Sequence, residues 1–139
     1  MKRANKPDLD LISMVQRARM QNDDAAIPSQ VAAVYWIETV PEVPVAAPTS
    51  RAGRWVIRTT VDQVDDLWML IKRATKAGRL GYKSKVSTAA RDMGKDQNDR
   101  VIHVVTYDAD DTADVERVRA ALLELGVSAS IEYERTAEK

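Results

Sequence analysis

Residues 54–60 alternate, with Trp55, Ile57 and Thr59 on one side of the chain and Val56 and Arg58 on the other, which is the period of a half-buried strand. The period then changes. Val61, Val64, Trp68, Ile71 and Thr75 fall at helical spacing and form one stripe, widened by Leu67 and Ala74, and Gly78 supplies a left-handed stop. Thr60 and Gln63 have the spacing of a capping box. Asp62, Asp65 and Asp66 suit the positive end of that helix, and Lys72, Arg73 and Lys76 its negative end. The same sequence of signals recurs further on. Arg100 to Tyr107 is nearly continuous in β-branched residues, which predicts a central strand with Val101, His103, Val105 and Tyr107 on one face. Asp111 or Thr112 then caps a helix whose stripe is Val115, Val118, Leu122 and Leu125 and whose stop is Gly126, before Val127 to Glu134 alternates as a last strand carrying Ala129, Ile131 and Tyr133 on one side.

The remaining patterns are weaker. Leu80 to Thr88 predicts a strand in which Lys83, Lys85 and Ser87 share a face, and Val31 to Val40 predicts another around Tyr35-Trp36-Ile37. Pro7 and Asp8 open a first helix, with Leu11, Met14, Val15 and Ala18 at helical spacing, that fades at Asn22-Asp23-Asp24. Pro41, Pro44 and Pro48 forbid regular ladder pairing, so Pro41 to Gly53 reads as an extended surface connection, and Ala89 to Asp99 reads as a loop. These elements divide the chain into a helical arm over 1–30, a single α+β domain over 31–135 with the proline-rich connection at 41–53, and a polar tail over 136–139. Helix, strand, strand, helix, strand, strand, helix, strand is not the alternation of a doubly wound parallel sheet. It predicts an α+β fold: a mostly antiparallel sheet with helices packed on one face and the other face available.

Composition narrows the chemistry. The 139 residues carry 21 basic and 21 acidic side chains, which argues against strong sequence-independent binding to duplex DNA or an anionic membrane. Without cysteine, and with one histidine, a structural zinc site is not expected, and no motif calls for a cofactor. No apolar run is long enough for a signal peptide or a membrane span, so a cytoplasmic location is expected. Lys83 and Lys85, together with Arg79, Arg91 and Arg100, form the candidate anion site. His103 alternates with apolar residues and is read as a sheet-face histidine satisfied by one hydrogen bond. Because the chain has no phenylalanine, Trp36, Trp55 and Trp68 are assigned to the core. Asp108, Asp110, Asp111 and Asp114 lack the glycine and glutamate of a calcium loop and are read as turn and cap residues.

Tyr35-Trp36-Ile37-Glu38, Gly53-Arg54-Trp55, Val64-Asp65-Asp66-Leu67-Trp68, Lys85-Val86-Ser87-Thr88, the run Val101 to Asp108 and Asp114 to Arg119 together resemble the family named after the basophilic leukaemia expressed protein, over Val34 to Gly126. The resemblance implies the fold of the cap-binding translation initiation factors, a curved antiparallel sheet backed by helices. Some family members are labelled as similar to phosphothreonine lyases, in which a lysine removes a proton and a histidine helps phosphate leave; Lys85 and His103 are the two positions here that could play those parts, without a motif that marks them. The expected function is a non-enzymatic recognition module for a phosphate-bearing ligand such as a nucleotide, or for a protein partner. An eliminase using Lys85 and His103 is one alternative, and a bacterial or viral accessory protein that covers a host protein is another.

Overall fold

The computed structural model describes residues 23–31, 36–88, 98–127 and 131–136. The expected first helix over 8–22, Tyr35, the loop over 89–97 with Arg91, and Ala129 lie outside them. Residues 23–25 are helical, and a short 3-10 turn follows at Pro28–Gln30. Five strands and two helices come next: β1 (Trp36–Thr39), β2 (Gly53–Thr60), α1 (Val61–Lys76), β3 (Lys83–Ser87), β4 (Asp99–Thr106), α2 (Thr112–Glu124) and β5 (Ile131–Arg135). The strands form one sheet in the order β1-β3-β4-β2-β5, with every neighbouring pair antiparallel. β4, the most β-branched segment, is central, as its sequence predicts.

The register assigns side chains to faces, because directly opposed residues share a side of the sheet. One row runs Ile37, Val86, Ile102, Ile57, Ile131, and the next runs Thr39, Ser84, Val104, Trp55, Tyr133. Against these rows pack Val64, Trp68, Ile71 and Ala74 of α1 and Val115, Val118 and Leu122 of α2, in one core cluster. Both stripes therefore bury on the same face. The Trp55 indole donates to the Val115 carbonyl at 3.1 Å, which fixes α2 on β2, and Thr75 of α1 shares a buried 2.7 Å hydrogen bond with Ser84 of β3.

Two local expectations need correction. Thr60 occupies the cap position of α1 but makes no side-chain cap bond. It is still paired with Asp99 as the last residue of β2, so the helix starts directly from a strand, and the Asn98 carbonyl accepts from the Val61 amide of the first turn at 2.7 Å. Asp65 does more than favour the helix dipole: both of its oxygens accept from Ser29, from the amide at 3.0 Å and the hydroxyl at 2.6 Å, tying the 3-10 turn to α1. α2 matches one of its two expected caps, since Asp111 accepts from the Asp114 amide at 3.1 Å. Gly78 and Gly126 take the left-handed φ values of 80° and 92° that helix stops require.

The acidic turn after β4 clamps the proline-rich connection. Arg51 donates to Asp108 through Nε at 3.1 Å and Nη2 at 2.6 Å, and Asp110 accepts from Arg135 of β5 at 2.6 Å. The Arg51 guanidinium and the Asp110 amide hold the Asp108 carboxyl below its ordinary range. A lowered carboxyl contributes stability that is present above the unfolded value near 3.8 and is lost as pH falls through the folded value. In denaturant titrations from pH 6 to pH 2, Asp108→Asn should start less stable and lose less on acidification; a pH profile parallel to that of the unmodified protein would contradict the clamp.

Candidate functional site

The same register builds the opposite face. Glu38, Lys85, His103, Val56 and Glu132 form one row across all five strands, and Lys83, Val105, Arg54 and Glu134 form the next. No residue of α1 or α2 contributes to the groove found there. Trp36, Arg54, Val56, Arg58, Thr59, Lys85, Asp99, Arg100, Val101, His103 and Glu134 line this groove, whose volume is about 540 Å³.

Lys85 and His103 are direct cross-strand partners, so the two residues singled out from the sequence do stand together. Arg100 also reaches the groove, but it is only 5% exposed and its Nη1 donates to the Asp99 carbonyl at 2.8 Å. Lys83 shares the face one row further along, outside the lining, with its ammonium 6.0 Å from the Tyr82 ring. Arg79 lies in the turn after α1, where its carbonyl accepts from Arg117, and it does not line the groove. Arg54 and Arg58 take places that the sequence reading left empty. Alternation had already put Arg58 and Val56 on the face away from the core, and that signal was sufficient to find both arginines once the helix-bearing face was known.

Trp36 is the main departure. Trp55 and Trp68 are core, at 6% and 1% exposure, whereas Trp36 projects from edge strand β1 onto the face opposite α1 and α2. Its ring lies 4.7 Å from that of His103, tilted by 34°, and the Lys85 ammonium lies 4.8 Å from its centroid. The absence of phenylalanine required large core volume, but two tryptophans and a row of isoleucines provide it. His103 is 8% exposed, and its Nδ1 is buried without a hydrogen-bond partner among the described residues. Burial, followed by the positive charges of Arg54 and Lys85, pulls the imidazole down to about 4, so it is neutral at pH 7. Glu134 is already engaged: one of its oxygens accepts from Arg54 Nε at 2.9 Å and from Nη2 at 2.5 Å. Arg58 is two-thirds exposed and only 3.8 Å from Glu132 at its nearest, a loose pair in solvent. Among the described lining residues, the groove therefore sets two aromatic rings beside more cationic than anionic side chains.

The five-stranded antiparallel sheet, with α1 and α2 on one side, has an eIF4E-like α+β fold: the solved structure of schistosome eIF4E complexed with m7GpppA and 4E-BP superimposes with a TM-score of 0.60. That likeness spans 99% of this chain and 82% of that one at 12% identity, and it is a likeness of fold. The chain belongs to the family described as basophilic leukemia-expressed protein Bles03, whose pattern it matches over residues 44–136. The matched span begins later and ends later than the resemblance read from the sequence: it contains Arg54, Arg58, Lys85, Arg100, His103 and Glu134, but Trp36 lies before it. No curated protein matches the chain. Among the described residues no helix is long and apolar enough to cross a membrane.

Proposed function

We propose that this protein is a non-enzymatic recognition module whose sheet face opposite α1 and α2 binds a phosphate-bearing ligand. The observation that carries the reading is the convergence of Arg54, Arg58 and Lys85 beside the Trp36 and His103 rings in one groove. Guanidinium and ammonium groups beside aromatic rings suit a ligand that combines an anion with a planar group, since phosphate oxygens accept charge-assisted hydrogen bonds while the planar part packs on a ring. The eIF4E structure, which holds the dinucleotide m7GpppA, supports a nucleotide as that ligand. The eliminase alternative uses the neighbouring Lys85 and His103 but needs a protonated imidazole, and burial with the charges of Arg54 and Lys85 pulls His103 down to about 4, which favours the neutral ring at pH 7. The recognition reading does not need the protonated form.

Titration calorimetry with GTP and with inorganic triphosphate tests the proposal. Binding should weaken as salt rises, and Lys85→Glu should reduce affinity about tenfold or more, which corresponds to at least about 1.4 kcal/mol. On this reading phosphothreonine peptides incubated with the protein yield no dehydrated residue. Unchanged affinity in Lys85→Glu would count against the groove.

A further inference from the structure

We infer that the groove selects a nucleotide with an uncharged base and disfavours a 7-methylated, cationic base, because the Lys85 ammonium already stands against the only indole the groove contains. This rests on the proposed binding of a phosphate-bearing ligand and specifies which ligand. A cationic base is ordinarily held by the negative faces of aromatic rings, with an acidic group nearby to balance its charge. Here the corresponding elements are arranged differently. Trp55 and Trp68 are buried in the core on the opposite side of the sheet, so Trp36 is the only tryptophan on the groove. Its ring partner is His103 at 4.7 Å, too near for a base to slide between them, since a sandwich needs two contacts of about 3.5 Å, or about 7 Å between ring planes.

A base stacking on Trp36 is therefore placed within a few ångströms of an ammonium that sits 4.8 Å from the ring centroid. A positive base would meet like charge there, while a neutral base would not. The surroundings add to the discrimination. Among the described residues the groove lining contains Arg54, Arg58, Lys85 and Arg100 against Asp99 and Glu134, and Glu134 accepts from Arg54 through both guanidinium bonds. Glu38, opposite Lys85 on β1, is outside the lining. The phosphates of either nucleotide gain equally from these cations, so the difference between the two ligands isolates the base.

The experiment compares GTP, 7-methyl-GTP and inorganic triphosphate on the unmodified protein and on Lys85→Met, which keeps the side-chain stem and removes the charge. GTP should bind at least tenfold more tightly than 7-methyl-GTP, and the ratio should fall toward one in Lys85→Met even as both affinities drop. If 7-methyl-GTP binds as tightly as GTP or more so, this inference is overturned while the phosphate reading stands. A ratio that Lys85→Met leaves unchanged overturns it as well. If none of the three ligands binds, inorganic triphosphate included, the phosphate reading fails and this inference fails with it.

Discussion

Trp68→Ala should lower the free energy of unfolding by about 3–5 kcal/mol, the range for deleting a large buried aromatic, and urea or guanidinium denaturation would read it directly. Trp68 is 1% exposed and lies in the α1 stripe between Val64 and Ile71, against the row of isoleucines on the sheet. Its indole N–H has no partner among the described residues, so the residue contributes volume and dispersion rather than a hydrogen bond, and no polar interaction offsets the cavity. For a domain whose total stability is on the order of 5–15 kcal/mol, this single change removes a large share. A loss under about 1 kcal/mol would mean that α1 does not pack on this face as described.

Gly81→Ala should be comparably damaging for a different reason. A Cβ at this position would stand 1.8 Å from the Val105 carbonyl oxygen and 2.7 Å from its carbon, a collision with backbone rather than with a flexible side chain. That carbonyl belongs to β4, which is paired on both sides and also accepts from the Tyr82 amide at 3.0 Å, so it has no room to retreat. We expect a loss of about 3 kcal/mol or more, at the upper end for overpacking, together with faster amide exchange across β3 and β4. Near-normal stability and exchange would show that the close approach of Gly81 to β4 is not a constraint.

Much of this fold was legible in the sequence because both helices and the central strand have unambiguous periods. Val64, Trp68, Ile71 and Thr75 announced a buried stripe, Arg100 to Tyr107 announced a central strand, and each was found where its pattern placed it. What periodicity does not carry is register between strands. That Lys85 faces His103 follows from an antiparallel pairing which the sequence only permitted, and that Arg54 lies across from Glu134 depends on β5 docking beside β2 rather than elsewhere. Trp36 illustrates the same gap. Its segment reads as a strand, but whether an alternating strand points its tryptophan toward or away from the helices depends on a one-residue choice of register. The capping box at Thr60 is not formed: Thr60 is held in β2 by its pairing with Asp99, and Asn98, just before β4, accepts from the Val61 amide of the first turn. In each case the missing information concerned a partner distant in sequence.

The central claim is that the sheet face opposite α1 and α2 is the binding face, with Trp36 at the groove and the other two tryptophans sealed in the core. Three tryptophans give three indole N–H signals in a nitrogen-15 spectrum, and Trp36→Phe identifies the first of them by its disappearance. Adding GTP should shift the Trp36 indole signal while those of Trp55 and Trp68 stay in place. A ligand-dependent shift confined to the two core indoles, or saturation with GTP that moves none of the three, would contradict the account.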